Sequence, residues 1–587
     1  MSATDPGVLL VADHPGPREK VTRRWAGRGP VATLTLPFWQ DSTLSRAMRL
    51  HALSDGEQAE VLVRTNGLLD ALRAAVGVSD DQWQYLRQVL ESHAVTPLVE
   101  AVAIVEAAAR RLSPRTIATL ADVRSRDWWS GQTVAEAAGA EVAMRLGLRH
   151  VAERTPPAAG ALLRAMGSAG ESLRSSMIRR HAQEVLARAA TAGASGRRPT
   201  QADVLILAAG PVVEGLALRM AEKLADARVT YELARDPLAP PSAVANRFVV
   251  LGGQASPVTD DGRRAATVLD ALKGVLSPPL LAAMRPRLVS LEARELPLAR
   301  WLEADAEALL DRVKPRVVVD FHFLPRLATP YLVAATRRGI RTVCCQHGLI
   351  ASLDYPSPWY DEYLLFNEYT AEVVRPRVGE GARLTVVGNP TLDALAGWQP
   401  KGQPEPGERP AVLLATQPND PPGSDAREDW WFAVLARACA AVGAEAWVKL
   451  HPQQSPDREG EMYRRAMEKA GCEGRIIPHG TADLRGLIAA CDVFVSQFST
   501  TILEALALGK PVVFVELREG PPFYPFDDFG AAIRVTRPDE AEPALRRAMS
   551  DEGRSQMQAA RAEFSARHLE PWDGHALERM AQAILAH

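Results

Sequence analysis

The sequence predicts an α/β protein built on more than one parallel sheet, and three observations carry that expectation. Short apolar, β-branched runs such as Val204-Leu-Ile-Leu and Val493-Phe-Val recur between stretches of helical period, the alternation that builds parallel sheets. The chain has 587 residues, too many for a single hydrophobic core, so roughly three or four domains are expected. Its composition, 47% apolar and 24% charged, is that of ordinary globular protein and sets aside fibrous or disordered classes.

The formal net charge of −3 argues against nucleic acid or an anionic membrane as the main partner, while leaving room for peripheral membrane association through local basic patches. Cys344, Cys345, Cys439, Cys472 and Cys491 show no CxxC or CxxH spacing, so buried thiols in a reducing compartment are expected rather than disulfides or a metal site. Val8-Leu-Leu-Val-Ala is too short for a signal-peptide core, and no apolar run approaches the about 18 residues of a membrane span. The expected location is the cytoplasm.

Residues 1–155 read as an N-terminal α/β domain. Strands are expected at Val8–Ala12, Val31–Leu36, Thr116–Asp122 and Leu148–Ala152, with a long helical section through Arg111 and a helix over Val134–Leu146. The pair Trp128-Trp129, just past Asp122 and Arg124, sits where α/β folds place ligand loops, although packing is the stronger reading of the tryptophans. Residues 156–200 lose the strands. A helix-rich stretch over Leu162–Ala190 gives way to the Gly/Ala/Ser/Pro linker Thr191–Pro199.

From residue 201 the strand–helix alternation becomes regular. A strand from Val204 that runs into a glycine turn by Pro211, and strands over 228–233, 247–251, 316–320, 341–345, 363–366 and 383–387, make one Rossmann-like domain, 201–396. A polar, Pro-rich hinge spans 397–410. A second such domain, 411–587, takes strands over 411–415, 446–450, 474–477, 493–495, 512–515 and 532–535, then a helical C-terminal segment broken at Trp572-Asp-Gly574.

Candidate chemistry gathers at the carboxyl ends of these strands. Asp320-Phe-His322 and then His347-Gly348 supply a carboxylate and two imidazoles, residue types suited to removing a proton. Gly388 and Asn389 form the turn after the last strand of that domain. In the C-terminal domain, Lys449-Leu-His451-Pro452 and Pro478-His479-Gly480 end successive strands. Ser499 and Thr500 open a helix that Gly509 ends, so backbone N–H groups and hydroxyls converge there as a phosphate seat, with Glu504 one turn on to accept from a ribose diol.

On these residues the last two domains, about 200–587, resemble GT-B glycosyltransferases, which use two facing Rossmann-like domains and hold the donor nucleotide mainly in the second. The His347-Gly348, His451-Pro452 and Ser499-Thr500 pattern is similar to the bacterial capsule and cell-surface polymer branch, whose members use CMP-Kdo, CMP-sialic acid or CDP-glycerol. The resemblance implies an enzyme that needs no metal or other cofactor. It would move a sugar or polyol phosphate from a cytidine-activated donor to a glycan, lipid-linked or protein acceptor. His451, Pro452, Ser499 and Thr500 would hold the donor phosphate, with His479, Glu504, Gly388 and Asn389 as further donor contacts; His347, Asp320 or His322 would act on the acceptor. Two departures matter. The acidic-acidic-Gly motif of some sialyltransferases is missing, leaving the base open. Val387-Gly-Asn-Pro-Thr-Leu-Asp and His451-Pro are also similar to UDP-N-acetylglucosamine 2-epimerase, but Thr416-Gln-Pro-Asn-Asp420 stands where that family has His-Arg-Arg-Glu-Asn. A catalytically degenerate scaffold is the non-enzymatic alternative.

Overall fold

The computed structural model describes residues 7–12, 25–26, 30–36, 50, 53–91, 95–121, 134–154, 167–195, 197–208, 211–238, 244–255, 265–322, 327–350, 360–398, 409–417, 428, 430–517 and 520–586. Its strands assemble into three parallel sheets. The first contains β1 (Val8–Ala12), β2 (Val31–Thr35), β3 (Thr116–Ala121) and β4 (Arg149–Arg154) in the order β2-β1-β3-β4. The second contains β5 (Val204–Ala208), β6 (Tyr231–Arg235), β7 (Val249–Val250), β8 (Val317–Asp320), β9 (Arg341–Cys345), β10 (Glu362–Leu365) and β11 (Arg383–Val386), in the order β11-β10-β9-β8-β5-β6-β7. The third contains β12 (Ala411–Ala415), β13 (Glu445–Lys449), β14 (Gly474–Ile477), β15 (Val493–Ser496), β16 (Val512–Val515) and β17 (Ile533–Val535), ordered β14-β13-β12-β15-β16-β17.

Counted within its own segment, the third sheet has the doubly wound order 3-2-1-4-5-6, and the second has the same order with a seventh strand added. Each order reverses once, between β12 and β15 and between β5 and β8. The strands form where they do because their apolar runs are buried on both faces: all of β5, β12, β15 and β16 is inaccessible to solvent or nearly so.

By contacts the chain divides into two compact units, Met1–Cys344 with Asp354–Asp361, and Cys345–Leu353 with Glu362–His587. Two features differ from the sequence expectation. β6 begins three residues late, because Arg228 takes a left-handed conformation (φ +59°) after the helix Pro211–Asp226, and Thr230 is tied to Asp203. The linker read at 191–199 is helical through Ser195: Thr191 Oγ1 donates to the Ala187 carbonyl, and Gly193 packs directly on the Gly253 backbone, an approach a side chain would block. Asp122, Arg124, Trp128 and Trp129 lie outside the described residues, as does most of the hinge. All five cysteines are buried thiols. Among the described residues no helix is long and apolar enough to cross a membrane.

Within the second unit, the C-terminal helices clasp the segment around β10 and β11. Asn367 caps the helix Glu368–Val374 and donates to the His568 carbonyl at 2.6 Å. Asp393 accepts from Ala576 and Leu577 N–H groups, capping the helix Ala576–Leu585 from a distance. The His568 side chain, fully buried and stacked on Phe564, accepts from Tyr524 at Nδ1 (3.0 Å) and donates to Asp528 at Nε2 (2.9 Å). Burial holds its pKa down to about 4 against the pull of Asp528. The unfolded imidazole takes up a proton near pH 6.5, so the folded state binds fewer protons between these values, and stability falls as pH drops through that window, by up to about 3 kcal/mol. His568→Gln should be less stable at pH 7 yet show a shallower loss between pH 6.5 and 4 in urea unfolding midpoints; a slope equal to that of the parent protein would contradict this.

Candidate functional site

The carboxyl edge of the third sheet carries a group of polar side chains. Its order reverses between β12 and β15, where flanking helices diverge to opposite faces and α/β proteins bind ligands. Ser496, the last residue of β15, is buried and donates across this point to the Ala415 carbonyl at 2.9 Å. Ser499 and Thr500 follow directly. The helix they open is only Thr501–Ala507, and Ser499 Oγ accepts from Thr501 N–H (3.3 Å) and the Thr501 hydroxyl (2.8 Å), which keeps its own O–H as donor. Thr500 makes no side-chain cap bond. The expected seat is therefore a hydroxyl turn rather than a strong helix dipole.

One strand away, β13 ends at Lys449 and leads into the His451-Pro452 turn. A buried amide network that sequence reasoning missed holds this turn. The His451 N–H donates to Thr416 Oγ1 (3.1 Å) and Gln454 Oε1 (3.0 Å), and the Thr416 hydroxyl also bonds Gln454. Gln454 Nε2 donates to the Gln417 carbonyl (2.6 Å) and the Tyr463 hydroxyl (2.9 Å). Tyr463 is itself core: its ring stacks on Trp430 and meets Phe432 edge-on. Packing energy is thus transmitted to a polar loop, since ring pairs of this kind are worth about 0.5–1.5 kcal/mol beyond their burial. The signal in the sequence was the Gln454 three residues beyond the histidine, but nothing local indicated Thr416 as its partner.

The imidazole of His451 accepts from Gln453 N–H at Nδ1 (3.2 Å), which leaves Nε2 as an N–H donor. Its pKa is pulled below the usual histidine range by burial, then by His479 and Lys449, so it is neutral at pH 7. His479 sits exposed in the turn after β14, which needs Gly480 at φ +79°. Lys449 is 7% exposed, and burial lowers its pKa. Its ammonium donates to the Leu450 carbonyl (3.1 Å) and has no carboxylate partner among the described residues.

Three donor contacts expected from the sequence have other tasks. Gly388, at φ +94°, lies against the C-terminal segment, where a Cβ would come within 2.4 Å of the Pro571 carbonyl. Asn389 is buried and caps its own short helix through Thr391 N–H at 2.9 Å. Glu504 is buried with its carboxylate toward Arg485 (3.5 Å); burial raises its pKa, and Arg485 only partly offsets that. Each of the three thus has a protein neighbour of its own.

In the second sheet, Asp320 ends β8 at the strand-order reversal and is 1% exposed. His322 Nδ1 lies 3.4 Å from Asp320 Oδ1, and the His322 N–H donates to Oδ2 at 3.3 Å. Burial depresses the imidazole pKa, but Asp320 and then Asp236 outweigh it, so the net shift is upward. Asp320 is thus enclosed, and His322 is the more accessible of the two. His347 lies on a separate turn after β9 that buried Gln346 braces, donating to the Gly348 carbonyl (2.8 Å) and accepting from Phe366 N–H (2.7 Å). Gly348 is not in the left-handed region and has open space where a Cβ would stand, so the turn does not require glycine.

No protein-family model matches this sequence, and no curated protein matches it. Solved structures similar to it include a glycosyltransferase from Rickettsia africae ESF-5, at 13% identity and TM-score 0.39, covering 66% of this chain and 99% of that one. A putative UDP-N-acetylglucosamine 2-epimerase from Listeria monocytogenes aligns at 13% identity and TM-score 0.42, covering 66% and 97%. The Neisseria meningitidis UDP-GlcNAc 2-epimerase bound to UDP-GlcNAc aligns at 12% identity and TM-score 0.39, covering 65% and 100%. At these identities and scores, roles for individual residues rest on this chain's own geometry.

The amide network yields a test. Gln454→Leu keeps the side chain's size but strips partners from the His451 N–H, the Gln417 carbonyl and Tyr463, which should cost about 1–3 kcal/mol in denaturant unfolding. A variant as stable as the parent would show that the network does not hold the turn.

Proposed function

We propose that this protein is a GT-B-type glycosyltransferase that takes a sugar from a nucleotide-activated donor, most readily a CMP- or CDP-linked one. The observation that carries the reading is the anion-seeking set along the carboxyl edge of the third sheet, from β13 to the reversal point at β15. A buried lysine with no carboxylate partner among the described residues stands beside a neutral His451 N–H donor. The Ser499 and Thr500 hydroxyls lie two strands over. A buried charge is costly unless it is paired, and a donor phosphate supplies the missing counter-charge. The cytidine preference follows the His-Gly, His-Pro and Ser-Thr resemblance.

Lys449, His451, Ser499 and Thr500 would stabilise the phosphate as negative charge develops on the departing nucleotide. His322, oriented by Asp320 at Nδ1, would accept the acceptor hydroxyl's proton at Nε2. Asp320 itself is too enclosed to meet a substrate.

A thermal-stability panel of CMP, CDP, UDP and GDP tests the donor. The matching nucleotide should stabilise by about 2.7 kcal/mol at 100 times its dissociation constant, and His451→Ala should abolish most of that gain. Equal response to all four, or an unaffected variant, would sink the phosphate assignment. His322→Ala should lower turnover by about 10²-fold or more; if His347→Ala does so and His322→Ala does not, the base is His347.

A further inference from the structure

Tyr360 lies just ahead of β10, 38 residues beyond His322, and is 3% exposed. Its hydroxyl is 2.7 Å from Asp320 Oδ2 and 2.7 Å from the His322 carbonyl oxygen. A phenol has one proton, and both neighbours are acceptors, so the hydrogen bond is shared between them. One group thereby grips the Asp320–His322 tripeptide at two points, the carboxylate and the main chain that carries the imidazole. The carboxylate is divided accordingly. Oδ2 takes the phenol and the His322 N–H, while Oδ1 is left to the imidazole.

The phenol is fixed in turn. The next residue, Asp361, accepts from Thr342 N–H (2.8 Å) and the Thr342 hydroxyl (3.1 Å), and its own N–H donates to the Thr342 carbonyl (3.0 Å). Thr342 lies in β9, so Tyr360 is anchored to the strand next to β8. We propose that Tyr360 is a positioning residue that locks the rotamer of Asp320 and so aims His322 Nε2 for proton transfer, an inference that rests on His322 being the base.

Among the described residues, the charged groups that act on the His322 imidazole are Asp320 and Asp236, the residue after β6, while the Tyr360 phenol reaches it through Asp320 and the His322 carbonyl. Removing the phenol leaves Asp320 Oδ2 with one donor fewer, and a less satisfied carboxylate holds an imidazolium more tightly. The base works when neutral, so the pH at which activity appears should move up.

The test is Tyr360→Phe, which keeps the ring. The His322 titration is read by NMR of histidine-labelled protein, assigned against His322→Asn. In parallel, CMP release from CMP-Kdo or CMP-sialic acid is followed against pH. The expected result is an upward move of the His322 titration by roughly half a pH unit. Alongside it, kcat should fall about tenfold with little change in KM, because aim rather than binding is lost. Thr342→Val, which retains the phenol but loosens its anchor, should move both readouts less and in the same direction; it stands in if Tyr360→Phe does not fold. An unchanged His322 titration in the folded variants overturns the proposal. A moved titration with an activity limb that does not follow it upholds the role of Tyr360 and overturns His322 as the base.

Discussion

Parallel strand pairing gives every strand end of one polarity the same edge of the sheet, and the doubly wound order makes that edge uneven. Where the order reverses, successive crossovers leave for opposite faces, and the loops between them part. The second and third sheets each reverse once, and polar residues of the candidate sites stand at those two points: Asp320 at the end of β8, and Ser499 and Thr500 after β15. The sheet order is therefore the constraint on which the candidate chemistry depends.

Behind each reversal point lies a layer of fully engaged polar groups. Gln454 joins Thr416, Gln417, Tyr463 and the His451 main chain, and Tyr463 is in turn packed among Trp430 and Phe432. Asp320 joins His322 and Tyr360 in the same manner. Buried polar networks of this kind rigidify only when their members are satisfied, and here Lys449, next to the network, bonds the Leu450 carbonyl but has no carboxylate partner among the described residues. A rigid inner layer with an outward-reaching charge or imidazole is the arrangement binding and proton transfer both require.

The C-terminal segment explains why several attractive polar residues serve structure instead. Gly388 must let the Pro571 carbonyl approach, Asp393 caps the helix at Ala576, and Arg579 donates to the Val387 carbonyl at 2.8 Å. The Val387–Asp393 stretch, which reads like a ligand turn, is the seat for the last helix. Glu504 is similarly drawn to Arg485. In both cases the group meets a partner distant in sequence.

The sequence by itself determined the strands, because β-branched apolar runs bounded by Gly and Pro report burial locally. It determined that His347, His451, His479 and Asp320 end strands, for the same reason. It could not separate Asp320 as orienting group from His322 as accessible imidazole, nor find Tyr360, 38 residues further on, or Thr416, 35 residues before His451. It also ended the helix Gly167–Ser195 early, since the Gly193–Gly253 contact that supports its last turn is non-local. Periodicity is a property of neighbours along the chain, whereas a hydrogen bond's partner and a carboxylate's exposure are properties of neighbours in space. Only the tertiary structure decides those.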